Sequence, residues 1–331
     1  MNLSGRKQRR QSMMNNKKFI VSHAPFYHNG SRIFSRSYNI LGATLPAVLM
    51  GLYIYGVPAL GVVALSVSSA MLWELLMNRL RKVPVTIGDG NAALIGMLFA
   101  MLVPATLPWW AVITGTFVAI VIGQQIYGGI GGNPFNPVIV ALVILMVSWK
   151  DIFDFNSALL NYDFDFANLY PLWALKHFGL PSVAGFTPGA LLMGQQTGGI
   201  GATFGLGLVL GGLYLIMRGY IRWEISFSFL GGVLITAWLF QLSDPAVYAG
   251  PVFHLLTGYT LIGAFFLATE NSSSPVNTLP MLLYGAGGGI MTVLIRNIGV
   301  YVDGVLLAVL LMNLINPVLD KIRPKALGKV V

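Results

Sequence analysis

Apolar residues in this chain fall in long runs bounded by charges or by Pro/Gly clusters, not in alternation with polar positions. Runs of that kind predict helices across a lipid phase, where every backbone N–H and C=O has to be satisfied inside its own segment. Ten are expected, near 38–56, 58–78, 91–106, 109–126, 136–149, 201–217, 226–241, 252–268, 279–295 and 304–319. The predicted fold class is all-α integral membrane. Several runs, 136–149 above all, are short for a hydrocarbon core about 30 Å thick.

The pattern also repeats. Ala93-Leu-Ile-Gly-Met-Leu-Phe99 reads against Thr260-Leu-Ile-Gly-Ala-Phe-Phe266, and the same spacing pairs Gly132 with Gly299, Val138 with Val305 and Ala141 with Ala308. Val48-Leu-Met-Gly-Leu-Tyr53 reads against Val209-Leu-Gly-Gly-Leu-Tyr214. Each unit holds an odd number of runs, so the halves are expected as two inverted five-helix repeats. Such an arrangement puts the functional centre where short or Gly-interrupted helices meet at the pseudo-two-fold axis.

Composition narrows the class. Of 331 residues, 56% are hydrophobic and 9% charged, and the mean hydropathy is +0.73. Soluble domains carry about a quarter charged residues. A soluble enzyme, a disordered chain and a nucleic-acid-binding domain are thereby set aside, although the net charge is +9. The basic residues flank apolar runs instead. Eight lie in 1–36, followed by Arg79, Arg81 and Lys82, then Arg218 and Arg222, then Lys321, Arg323, Lys325 and Lys329. With ten spans these all fall on one side, leaving only Lys150, Lys176 and Arg296 on the other. By the positive-inside rule both termini are expected in the cytoplasm of a bacterial or archaeal cell, the chain being multi-pass in its cytoplasmic (inner) membrane. The expected division is a basic segment 1–36, a membrane repeat 37–149, an extracytoplasmic loop 150–200, a second repeat 201–320 and a basic tail 321–331. Residues 1–18 lead into no apolar core with a cleavage site, so no removable signal peptide is expected.

Candidate chemistry is sparse. There is no cysteine, and the four histidines (His23, His28, His177, His254) never stand at i,i+4, so no resident metal or thiolate site is expected. Nor is a catalytic residue expected in this chain alone. Gln124-Gln-Ile-Tyr-Gly-Gly-Ile-Gly-Gly-Asn-Pro-Phe-Asn-Pro137 cannot continue a helix. It reads either as a packing turn or as a re-entrant segment whose Asn133 and Asn136 line a gate or face a cofactor. Gln195-Gln-Thr-Gly-Gly-Ile-Gly-Ala-Thr203 leads into a run. Its Gly198, Gly199, Gly201 and Thr203 could offer backbone donors to an anion, or simply cap and pack. Arg296 and Asp303 are ionisable residues beyond the basic flanks. They read as a phosphate contact or as a salt bridge with each other, and Lys176 is a second candidate cation. Glu74 and Glu224, beside Trp73 and Trp223, read as interfacial belt residues.

Several strings resemble one family. Ser22-His-Ala-Pro, Asp89-Gly-Asn-Ala-Ala-Leu-Ile-Gly, Tyr127-Gly-Gly-Ile-Gly-Gly-Asn-Pro-Phe-Asn-Pro, Ile221-Arg-Trp, His254-Leu-Leu-Thr-Gly, Leu261-Ile-Gly-Ala-Phe-Phe and Leu294-Ile-Arg through Asp303-Gly run nearly end to end. They are similar to the D subunits of Rnf complexes, a family related to the B subunit of the Na⁺-translocating NADH:quinone oxidoreductase. The resemblance implies a membrane subunit of an ion-translocating ferredoxin:NAD-type oxidoreductase. It implies other membrane and redox subunits as partners, H⁺ or Na⁺ as the translocated ion, and FMN near the outer face. The family joins FMN to a threonine through a phosphoester. The matching stretch here is Ala167-Asn-Leu-Tyr-Pro-Leu-Trp-Ala-Leu-Lys176, with Tyr170 at the threonine position, which puts covalent attachment in question; Thr203 and Thr187 are the substitute hydroxyls. Two other readings stand beside this one, a secondary transporter or channel and a flavin-free structural subunit of a redox complex.

Overall fold

In the computed structural model, the residues described are 33–322 apart from Asn161. The basic stretches 1–32 and 323–331, and with them the termini expected in the cytoplasm, lie outside the described residues. The described part is helical, with no strand. Its principal helices are α1 (Ile33–Leu80), α2 (Asn91–Leu102), α3 (Trp109–Phe117), α4 (Pro137–Ser148), α5 (Pro171–Phe178), α6 (Gly205–Met217), α7 (Trp223–Ser243), α8 (Pro251–Leu256), α9 (Thr278–Asn297) and α10 (Val305–Leu319).

Four segments are long and apolar enough to cross a membrane: Ile33–Leu80, Trp109–Tyr127, Trp223–Ser243 and Thr278–Asn297. Their outward faces are apolar. Leu49, Tyr53, Leu72 and Trp238 are all exposed, as expected of helices solvated by lipid. The first of these segments covers two expected runs. It breaks at Gly56 (φ 66°, ψ −146°), a conformation glycine reaches without steric cost, and Pro58 cannot donate to the turn before it. The shorter apolar helices are α2, α4, α6 and α10.

The helices approach each other on glycine. On α9, a β-carbon on Gly289 would lie 2.1 Å from the Phe229 carbonyl oxygen of α7, and one on Gly285 would lie 2.5 Å from that of Ile225. This is a small-xxx-small seam. Gly211 of α6 meets the Ala43 carbonyl of α1 in the same way.

Two places depart from the runs expected. The run 109–126 widens into a π-turn at Val118–Ile122, after which the backbone is irregular to Asn136. The run 252–268 is not one helix. It stops at Leu256, turns through Gly258 (φ +63°), and resumes at Thr260 before a π-turn at Gly263–Leu267. Irregular backbone inside a bundle needs other partners for its polar groups. Those partners make the two sites below, one at each end of the molecule.

Candidate functional site

The break at 257–259 leaves the last carbonyls of α8 and the first N–H of the following turn without helical partners. Arg296, 5% exposed near the end of α9, supplies the first need. Its Nη1 donates to the His254 carbonyl at 2.8 Å and its Nη2 to that of Thr257 at 3.3 Å. Asp303 supplies the second, its Oδ2 accepting from the Tyr259 N–H at 2.7 Å. The two are themselves paired, Arg296 Nη2 donating to Asp303 Oδ1 at 2.9 Å. A cation therefore sits on the negative end of one half-helix and an anion on the positive end of the next. Glycine is required at 258, where a β-carbon would lie 2.2 Å from Asp303 Oδ2.

Asp303 also accepts at Oδ1 from the Val305 N–H (3.1 Å), capping α10. Asn136 does the same for α4, its Oδ1 accepting from the Val138 N–H at 2.9 Å.

Lys176 on α5 is the second expected cation. Its Nζ donates to the carbonyls of Gly299 (2.6 Å), Tyr301 (2.7 Å) and Arg296 (3.4 Å), tying α5 to the chain after α9. Burial lowers its ammonium pKa. Three acceptors for three protons leave nothing for a phosphate.

Tyr170, just before α5, is buried, and its hydroxyl donates to Asp303 Oδ2 at 3.3 Å. Burial, and then the charge on Asp303, hold the phenol well above its ordinary pKa. Its ring lies among Phe155, Tyr259 and the turn 196–203.

That turn packs on the end of α2. The Ile200 N–H donates to the Val103 carbonyl (3.1 Å) and the Gly201 N–H to that of Met101 (3.0 Å), while the Gly198 N–H donates to the Tyr55 hydroxyl (3.2 Å). A β-carbon on Gly199 would lie 2.6 Å from the Met101 carbonyl oxygen, and one on Gly201 2.5 Å from the Met101 side chain. The glycines therefore serve close approach, and three of the donors an anion would use are engaged. Thr187 caps a short helix, Pro188–Leu192, accepting from the Ala190 N–H. Between the turn, Tyr170 and Gly258 remains only a narrow gap with no room for a water. Flavin-sized ligands need about 300 Å³ or more. The residues here do not fit an FMN: the void is too small, Lys176 and Arg296 are occupied, and the hydroxyl at 170 is buried on a carboxylate.

The Gly-rich string builds the second site, at the end of the molecule bearing Arg81. Gly128, Gly129 and Gly131 adopt φ of 108°, 100° and 89°. Asn136 Nδ2 donates to the Leu267 carbonyl (3.0 Å), and its N–H donates to Asn313 Oδ1 (3.1 Å). Asn133 Nδ2 donates to Glu270 Oε2 at 3.4 Å. These side chains border a cavity of about 70 Å³, with Arg36, Asn91, Gln124 and Glu270 among its polar lining. That is room for a few waters and falls well short of the roughly 300 Å³ typical of small-molecule sites.

A model of the NQR2, RnfD, RnfE family matches residues 20–328. The chain belongs to that family. Among curated relatives, the D subunit of the proton-translocating ferredoxin:NAD(+) oxidoreductase complex of Clostridium ljungdahlii is 34% identical over 310 residues, covering 92% of this chain and 94% of that protein. The D subunit of the ion-translocating oxidoreductase complex of Pectobacterium carotovorum is 34% identical, covering 94% and 99%. The D subunit of the Na(+)-translocating ferredoxin:NAD(+) oxidoreductase complex of Acetobacterium woodii is 33% identical, covering 93% and 94%. NQR2, RnfD, RnfE family members of nearly equal similarity thus carry names with different ions.

Three features were not anticipated from the sequence. Glu74 is no belt residue: it is 1% exposed, and its Oε1 accepts from Thr86 Oγ1 at 2.7 Å. The Gly285-x-x-x-Gly289 spacing was visible and signals the α7–α9 seam. Gln196, whose amide joins Leu191, Thr203 and Leu256, carried no motif that singled it out.

Proposed function

We propose that this chain is the membrane-embedded D subunit of an ion-translocating ferredoxin:NAD-type oxidoreductase complex, working with other membrane and redox subunits. The observation that carries this is end-to-end similarity to proteins named as that subunit, over 92–94% of the chain. Affinity purification of the tagged chain from its own cells should recover further complex subunits together with ferredoxin-dependent NAD⁺ reduction. Recovery of the chain alone from intact membranes would overturn the reading.

Ten spans in two inverted five-helix repeats, lying in the cytoplasmic membrane with both termini inside, complete the proposal. Support comes from the break at Gly56, the alternation of long and short apolar helices, and the matching Asn136 and Asp303 hydrogen bonds to Val138 and Val305, which stand at the repeat spacing. The end bearing Arg81 is then cytoplasmic and the Arg296–Asp303 end outer. A reporter fused after Val331 should be active only when it is one that works in the cytoplasm. A signal from a reporter that works only outside sinks the even-span arrangement.

The chain works without covalent FMN on 167–176, as a flavin-free subunit at its outer face. Support comes from the Tyr170–Asp303 hydrogen bond, the small void and the occupied cations. A phosphoester needs an accessible hydroxyl, and a phenol buried on a carboxylate is a poor nucleophile. Mass spectrometry of the denatured chain should find no FMN mass on 167–176. An adduct on Thr187 or Thr203 moves the attachment elsewhere, and one on Tyr170 overturns the chemical argument.

A further inference from the structure

The end bearing Arg81 presents apolar side chains on segments that are not spanning helix. Ile126 (66% exposed), Tyr127 and Ile130 stand out from the Gly-rich string, and Val83 and Val85 (57%) from the connection between α1 and α2. The two segments are joined. Arg81 Nη1 donates to Gln125 Oε1 at 2.8 Å and to the Gln125 carbonyl at 3.4 Å. Arg79, Arg81 and Lys82 are all exposed beside them. Between Arg79 and Pro137 the only acid is Asp89, which caps the Asn91 N–H (2.8 Å).

Hydrocarbon does not suit this surface. Gly128, Gly131 and Gly132 expose backbone that is not helical, and main chain of that kind is excluded from the acyl region. Nothing lies within 4 Å of a β-carbon placed on Gly128 or Gly131, so the string's outer side is free. Water alone leaves a group of large apolar side chains uncovered, which in a native protein marks a contact surface. Another protein meets both needs, because it can bury the side chains and pair with the exposed main chain.

The charge says which face of a protein. α1 closes on Lys82, whose φ of 55° is left-handed, with the Val83 N–H donating to the Asn78 carbonyl at 3.0 Å. Glycine is the usual residue at such a cap, and lysine there is strained. The strain keeps a cation on the rim.

We infer that Val83, Val85, Ile126, Tyr127 and Ile130, rimmed by Arg79 and Lys82, form the docking surface for an acidic face of a peripheral protein subunit on the cytoplasmic side. This deepens the reading of the chain as a subunit of a redox complex, and rests on that reading and its orientation. The apolar centre supplies the hold, and the cationic rim steers the approach.

The test uses membranes carrying the whole complex, washed in rising NaCl. Retained peripheral subunits are measured with the ferredoxin-dependent NAD⁺ reduction that stays on the membrane. Salt should release them from the wild type. Ile126→Asp should cut retention about tenfold at a fixed salt, and Lys82→Glu about threefold. Lys82→Gly removes the charge while relieving the backbone, so it should lower retention without lowering the Tm of the chain. Val300→Asp makes the same kind of change at an 86% exposed residue of the opposite end and should leave retention unchanged. Wild-type retention in both Ile126→Asp and Lys82→Glu, equal loss in Val300→Asp, or a hold indifferent to salt would each overturn the surface. So would unchanged retention combined with loss, in the variants, of a Tm gain from phosphatidylglycerol over phosphatidylcholine vesicles, which assigns the patch to lipid headgroups. The subunit reading fails separately, by a wild-type chain recovered without any partner. An intact complex that ignores the variants refutes the surface alone.

Discussion

Arg296→Gln should nearly abolish folded chain, and Asp303→Asn should follow closely. The two side chains are 2% and 6% exposed and 2.9 Å apart, so removing either charge strands the other in the interior. Breaking a buried pair in this way costs about 3–5 kcal/mol. Here the loss also frees the His254 and Thr257 carbonyls in one variant, and weakens the hold on the Tyr259 and Val305 N–H groups in the other. Set against a total stability of about 5–15 kcal/mol, that is a large share. The measurement is the monodisperse fraction after detergent extraction, with thermal unfolding of what remains. The double variant should recover part of the loss, since no uncompensated charge is left. If Arg296→Gln accumulates and unfolds like the parent chain, the pair is not the clamp of the broken helix.

Gly289→Val should be as severe by another route. Its β-carbon would lie 2.1 Å from the Phe229 carbonyl oxygen and 2.7 Å from the Val233 nitrogen, both backbone atoms of α7. No rotamer change relieves a collision with main chain, so the helices have to separate. Overpacking costs about 1–3 kcal/mol where side chains can shift, and more is expected where they cannot. Gly287→Val is the control, because its β-carbon would meet only the flexible end of Met312. Expression and unfolding should rank parent, Gly287→Val, Gly289→Val in falling order. A Gly289→Val chain as stable as the Gly287→Val chain would remove this seam from the account of the fold.

Much of the architecture was legible because lipid imposes a simple rule. A run that satisfies its backbone internally and shows apolar side chains outward is a helix, and α7 and α9 lie within a few residues of the runs expected. The break in 252–268 was not legible, because His254-Leu-Leu-Thr-Gly reads as apolar as its neighbours. What breaks it is distant: Arg296 and Asp303 offer the freed groups better partners than continued helix would. Glu74 was misplaced for a related reason, since a Trp-Glu pair near a basic flank carries no sign of the Thr86 hydroxyl that receives it.

The site divides in the same way. Sequence by itself determined which residues carry charge or unusual backbone freedom: Arg296, Asp303, Lys176, the glycines of 198–201 and the string ending at Pro137. It also determined the family, through motifs spread over most of the chain. Only the tertiary structure decided what each polar group faces. It engaged both cations with carbonyls and a carboxylate, turned Ile200 and Gly201 N–H groups onto α2, and left Gln196 Oε1 and Thr197 Oγ1 without a hydrogen-bond partner. The physical reason is that hydrogen-bond partners inside a bundle are assigned by long-range packing. Residue type fixes what a group can donate or accept, while the approach of helices far apart in sequence fixes which of those capacities remains free.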